Sequence, residues 1–209
     1  MLSMASHAIH ATSFGAGDLE TANLAISALY LLALAHAAFV GTALVRVDLE
    51  RGTLALLLSQ PVGVGTYVVG RFLGLALSTL AICALTAPCL AGALRIAGAH
   101  AGAFGPPLLQ GWARVMLATM VLDAAAIPLS AAAPRMLAPV LLLALFLAGD
   151  VAESTSVGRL LPNFGAFALD ASQAPPWTWL CLYAAAYCVV FLAAAYLLLT
   201  MRTPARTES

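Results

Sequence analysis

The chain contains no lysine, and all nine of its basic residues are arginine. A Walker A loop needs a lysine on its phosphates, so a standard P-loop ATPase is excluded. Any ATP-driven work would need a second polypeptide. Charge of either sign is scarce: 9% of the 209 residues are charged and 63% are hydrophobic, against about 25% charged in soluble domains. The net charge is zero, so the basic footprint of a nucleic-acid binder is missing. Cysteine is sparse too. Cys83, Cys89, Cys181 and Cys188 all lie in apolar stretches without a CxxC spacing, which reads as ordinary thiols rather than a metal centre or a disulfide. The first twenty residues lack the basic and apolar regions of a cleavable signal peptide. No metalloprotease, nucleophile-elbow or dinucleotide motif is present. These absences leave an integral membrane protein.

What is present is length for five spans. A hydrocarbon core of about 30 Å takes about 20 helical residues, and residues 24–45, 67–94, 115–133, 136–150 and 177–201 supply candidates. The expectation is an all-α membrane protein, a single transmembrane domain over residues 1–209, with a bend or end near Pro88 and a kink at Pro128. The segment 136–150 is short and tilts little or thins the bilayer locally. Arginine placement sets the orientation. With the loop after the first span in the cytoplasm, Arg46, Arg51, Arg71, Arg135, Arg202 and Arg206 fall inside, and Arg95, Arg114 and Arg159 fall outside. The N-terminus is then external and the C-terminus cytoplasmic, in the cell's inner (cytoplasmic) membrane. Trp112, Trp177 and Trp179 collect at the outer interface, as an aromatic belt would. The outer loop 151–176 carries Leu160, Leu161, Phe164 and Phe167 among polar residues, and reads as a segment at the outer interface or a cap on the bundle.

The loop inside the cell has its own structure. Glu50, Arg51 and Gly52 break the first helix, and Thr53 is placed to cap a new one. Pro61 ends that helix after about two turns. Leu54, Leu57 and Leu58 share one face of it. A leucine-faced helix in a hydrophilic elbow needs a surface to lie against. That surface is the protein's own helix ends, the headgroup layer, or a separate protein.

Asp123 is the most expensive residue. Near the middle of its span an aspartate costs about 2.5–3.5 kcal/mol on insertion scales, while strongly apolar residues return roughly 0.3–0.6 kcal/mol each. Val115, Leu117, Val121, Leu122, Ile127 and Leu129 therefore barely offset it, and Asp123 has to face the bundle interior, a neighbouring chain or water. His36 and Ser78 are its candidate partners. It is either a pathway or proton site or a structural hydrogen bond between helices. Arg71 lies one turn into the second span, within snorkelling reach of the inner headgroups. Gly70, Gly74 and Ser78 recur every four residues, a stripe that lets a second helix approach closely.

The elbow and its flanks resemble the ABC-2 type permease family, in the branch associated with multi-copper enzyme maturation and drug export. The residues that carry the resemblance are Glu50-Arg51-Gly52-Thr53-Leu54, Leu57-Leu58-Ser59-Gln60-Pro61-Val62, Tyr67, and Gly70-Arg71-Phe72-Leu73-Gly74, with Leu160 to Phe164 before the last span. The resemblance implies that Glu50, Arg51, Gly52, Thr53, Leu54, Leu57, Leu58 and Pro61 form a coupling element touching a separate cytoplasmic ABC ATPase. ATP and magnesium would sit on that subunit and no cofactor on this chain. It further implies a dimer of permeases, homo- or heteromeric, acting as an exporter. Three features depart from the family pattern: the usual first span is missing, Gly63-Val64 replaces a Ser-Arg pair, and Asp123 has no counterpart. Two other readings compete. One is a non-transporting assembly or anchoring subunit. The other is an intramembrane aspartyl protease using Asp123 and Asp150, although Leu147-Ala148-Gly149-Asp150 lacks the first glycine of the expected Gly-x-Gly-Asp motif. An apolar bundle with one central aspartate suits lipids, hydrophobic drugs, peptides or ions equally as substrate.

Overall fold

The structure, a computed structural model, describes residues 18–52, 63–96, 106–151, 161–167 and 175–202. These residues are helix and turn, with no strand among them. Helix α1 (Asp18–His36) passes through a wide π-helical turn (Ala37–Gly41) into α2 (Thr42–Glu50). The three form one continuous apolar rod, which continues beyond Val45 to Glu50. Helix α3 (Val64–Ile96) continues past Pro88, so that proline does not end it. Helix α4 (Pro106–Ala132) carries Pro128 inside it. A tight turn leads to the shorter α5 (Leu137–Val151), started by Leu137 and Ala138 amides donating to the Pro134 carbonyl. Helix α6 (Trp177–Arg202) closes the bundle. Four of these rods are long and apolar enough to cross a membrane, at Ala25–Glu50, Val64–Cys89, Leu109–Ala132 and Trp177–Met201, with Leu137–Gly149 as a shorter apolar helix.

Composition explains which helix is central. Helix α4 is alanine-rich, and Ala118, Ala124, Ala125, Ala126 and Ala131 are fully buried. Small side chains let neighbouring backbones come close, which is how helices associate where lipid is as apolar as leucine. Accordingly α4 touches every other described helix, and 78% of its membrane window is buried, against 17% for α6. Gly41 in the π turn shows how close the approach is: a Cβ there would stand 3.0 Å from Ala126 Cβ and 3.0 Å from Leu75 Cδ2. Outward-facing residues are large and apolar instead, among them Phe39, Leu77, Leu85, Leu182 and Val189. That is the pattern a bilayer or a second membrane subunit covers.

Packing layers run along the bundle. Near the elbow, Val45, Tyr67, Val68, Ile127, Ala131, Ala195 and Leu199 form one cluster. At the opposite end Ile26, Leu29, Ala33, Cys83, Val115 and Met116 form another. The central cluster takes in Phe164 and Phe167 from a 3-10 turn (Phe164–Phe167). The described part of the loop before α6 thus caps the bundle. Residues four apart on α6 hold it there. Trp179, Tyr183 and Tyr187 form a ladder with centroids 4.8 Å apart at each step. The Asn163 amide donates to Tyr183 Oη at 2.6 Å, and Tyr187 Oη donates to the Leu161 carbonyl at 3.1 Å.

The cap also needs a glycine on α5. A Cβ on Gly149 would lie 2.1 Å from the Pro162 carbonyl oxygen and 3.2 Å from Phe164 Cδ2. Backbone cannot yield as a flexible side chain does, so Gly149→Ala should destabilise the fold by about 1–3 kcal/mol. Gly70→Ala, which meets nothing within 4 Å, is the matched control. Thermal unfolding of both variants in detergent should show a lower midpoint for Gly149→Ala only.

Candidate functional site

Two polar centres lie in the bundle, one at the base of the elbow and one midway along the helices. At the base, Asp48 on α2 faces the first two turns of α3. Tyr67 and Arg71, four apart on α3, share a face. Tyr67 Oη donates to Asp48 Oδ2 at 2.7 Å, Arg71 Nη2 bonds to the same oxygen, and the Arg71 guanidinium lies 5.5 Å from the Tyr67 ring centroid. The Asp48 side chain is 12% exposed and that of Arg71 33%, so this clamp sits at the boundary of the packed interior. Residues on either side of the elbow are thereby tied to one another. Nearby, Ser130 Oγ on α4 accepts the Arg46 amide at 3.0 Å, pinning α2 to the central helix.

The elbow leaves α2 abruptly. The Arg51 amide donates to the Val47 carbonyl at 3.0 Å and the Gly52 amide to that of Leu49 at 3.4 Å. Gly52 then turns into the left-handed region at φ 69°, the helix-ending conformation that glycine adopts without a Cβ penalty. Glu50 and Arg51 are exposed, and Glu50 Oε1 accepts from Arg46 Nε at 2.9 Å. Thr53, Leu54, Leu57, Leu58 and Pro61 lie outside the described residues.

The second centre joins three helices at mid-depth. Asp123 on α4 is fully buried. Its Oδ2 lies 2.9 Å from Thr79 Oγ1 on α3, and that hydroxyl is 3.1 Å from His36 Nδ1 on α1. The other ring nitrogen, Nε2, is 3.3 Å from Ser78 Oγ, which donates to the Leu75 carbonyl at 2.8 Å. The carboxylate's other oxygen, Oδ1, has no hydrogen-bond partner among the described residues. The π turn begins at the residue after His36, and Thr42 Oγ1 closes it by bonding back to the Ala38 carbonyl. Widened turns of this kind often sit beside functional groups.

His36, Ser78 and Asp123, all expected as polar interior residues, belong to one network. The direct partner of Asp123, however, is Thr79, which had gone unnoticed. Arg71 stands apart from the network, paired with Asp48. Gly70 and Gly74 are exposed and meet no described atom that a Cβ would touch; the side of that stripe packed within this chain begins at Ser78. Two sequence signals point to the missed residues. Thr79 lies four from both Leu75 and Cys83, which are buried, so the interior face of α3 passes through it. Asp48 is the acidic complement to the Tyr67–Arg71 pair.

The apolar rods and the buried polar groups define a multi-pass membrane protein built to keep polar side chains out of lipid. A family model described as "ABC-2 family transporter protein" matches residues 2–169, well over half of the chain, which therefore belongs to the ABC-2 transporter family. No curated protein matches it. Membership makes the chain a membrane component of an ABC transporter.

The clamp makes a measurable claim. A hydrogen bond to a charged group contributes about 1.5–3 kcal/mol when buried, and partial exposure of Arg71 reduces that. Asp48→Asn should therefore cost about 1–2 kcal/mol and Tyr67→Phe about 1 kcal/mol. The double variant should lose less than the sum, because both changes delete one shared contact. Arg46→Gln, which removes only an i,i+4 pair, should cost about 0.5 kcal/mol or less. Denaturant titration of the four variants checks this; strict additivity at residues 48 and 67 would rule the clamp out.

Proposed function

We propose that the chain is the permease subunit of an ABC-type exporter, driven by ATP hydrolysis on a separate cytoplasmic ATPase that grips the elbow. The observation that carries this reading is the family match over residues 2–169. The physical support comes from the elbow's setting. Its two ends are bound together by Asp48, Tyr67 and Arg71, and α2 is bound to the central helix through Ser130. A push on residues 53–62 is then delivered to α2 and α3 as a unit, and through α4 to the remaining helices. In this reading Leu54, Leu57 and Leu58 face the ATPase. ATP and magnesium belong to that partner. The elbow lies in the cytoplasm, the N-terminus outside the inner membrane and the C-terminus inside.

A second permease copy completes the transporter in this scheme. The exposed side of α3, with Gly70, Leu73, Gly74 and Leu77, is an apolar face on which another membrane helix would pack closely. The same architecture without transport would be an anchoring subunit, and flux distinguishes the two.

Leu57→Asp places a charge on the leucine face that this reading assigns to the ATPase. It should abolish co-purification of the partner ATPase, while helix content and thermal midpoint stay unchanged. Retained co-purification would remove the elbow from the interface. ATP-dependent efflux from proteoliposomes holding both subunits is the expected activity, and its absence in an intact complex would favour the anchoring role.

A further inference from the structure

The mid-membrane network contains more information than its contacts, because each hydroxyl has a single proton to give. With its proton on the Leu75 carbonyl, the shorter of its two contacts at 2.8 Å, Ser78 accepts from His36 Nε2–H at 3.3 Å, which leaves Nδ1 of the neutral ring as an acceptor. Thr79 Oγ1 lies between two groups that both accept when unprotonated, Asp123 Oδ2 at 2.9 Å and His36 Nδ1 at 3.1 Å. One hydroxyl proton cannot serve both. With the carboxylate ionised and the imidazole neutral, one of them is left unpaired in a buried setting, which is costly. Adding one proton satisfies every bond, and it does so in two ways. Either Nδ1–H donates to Thr79, which donates to Asp123, or Asp123 Oδ2–H donates to Thr79, which donates to Nδ1.

We propose that His36, Thr79 and Asp123 form a proton-binding site inside the membrane, holding one exchangeable proton that passes between Asp123 and His36 across the Thr79 hydroxyl. The transfer balances. The Asp123 Oδ2–H bond breaks as that proton joins Thr79 Oγ1, the original Oγ1–H bond breaks, and an Nδ1–H bond forms on His36. Thr79 ends as it began, a neutral hydroxyl. The free Oδ1 of Asp123 is the oxygen at which the proton arrives or departs, and a half-turn of the carboxyl about its Cβ–Cγ bond brings that proton to Oδ2 and the Thr79 hydroxyl.

Among the described residues, no other titratable group in contact with the site takes over this role. On α3 the neighbour is the buried Cys83 thiol, and on α6 it is Cys188, whose Sγ donates to the Met120 carbonyl at 3.5 Å. Leu137–Gly149 on α5 carries no titratable side chain. On α4 and α3 the nearest guanidiniums, Arg114 and Arg71, are nine and eight residues from Asp123 and Thr79, about 12–14 Å along the helix axes. Because α1, α3 and α4 each supply one member, the proton fastens three helices together. Its loss leaves a buried acceptor that must find water or a new donor, which loosens the same three helices. The inference does not depend on the transporter reading, and its test needs no substrate or ATPase.

The test is a pH titration of the full chain in lipid nanodiscs, following imidazole ¹⁵N shifts by NMR and the protonated-carboxyl C=O stretch by infrared. His36→Gln and Asp123→Asn assign the two signals. In the wild-type protein the His36 resonance and the Asp123 band should change together in a single one-proton step, as coupled sites do. Thr79→Val should split that step in two, and Thr79→Ser should restore it. Separate titration of the two groups in the wild-type protein would overturn the proposal, as would a joint step indifferent to Thr79→Val. No titration of either group would also overturn it, leaving a static hydrogen bond between helices. Should Thr79→Val not fold, the wild-type titration decides alone.

Discussion

A carboxylate in the middle of a hydrocarbon layer governs how this bundle is put together. Asp123 makes its helix expensive to insert, by about as much as its strongly apolar residues recover. The helix is therefore stable only when enclosed, and its many alanines permit the enclosure by letting other helices approach. Polarity at one residue and small size at its neighbours lead to the same arrangement: a central rod, fully surrounded at mid-depth, with the aspartate turned toward hydroxyl and imidazole groups on two different helices.

The two polar centres differ in what surrounds them. At the base of the elbow Arg71 is one-third exposed, so the clamp works at a wet boundary where individual charges contribute modestly. It serves geometry more than stability, since it keeps the start of α3 beside the end of α2 whatever happens in the elbow between them. Asp123 and Thr79 are buried, and an unmet hydrogen bond between them has no solvent to fall back on. Force entering at the base and polarity stored at mid-depth are joined by α3, which carries Tyr67 and Arg71 at one level and Ser78 and Thr79 about 12 Å further on.

Much of this was legible in the residues themselves. The long apolar runs mark the helices, the Glu50-Arg51-Gly52 break marks the end of the first rod, and the insertion cost of Asp123 requires it to face inward. His36 and Ser78 follow as polar groups at the right depth. Thr79 was harder to find because a membrane helix is apolar on all sides. Its inward face is marked by small and hydroxyl residues, so the Gly70–Gly74–Ser78 stripe competes with the buried row of Leu75, Thr79 and Cys83. Asp48 is hard to place from sequence because the apolar run of the first span ends at Val45, although the helix continues to Glu50. Arg71 was expected to reach the inner headgroups, and the group it meets is a carboxylate on the neighbouring helix. Pro88 illustrates another limit: a proline removes one amide and leaves the rest of the ladder, so α3 passes through it.

The widened turn after His36 sets a phase. One additional residue is accommodated between Ala37 and Gly41, so the two halves of the first rod are out of step with a regular helix. Were that turn to tighten into the ordinary winding, everything on its N-terminal side would swing by about 100° and slide by about 1.5 Å relative to Thr42 and the elbow. His36 sits at that joint, and its imidazole would be carried away from Thr79. Such a seam would turn by torsion rather than by bending, exchanging rotation of one half-rod for the loss of an imidazole contact.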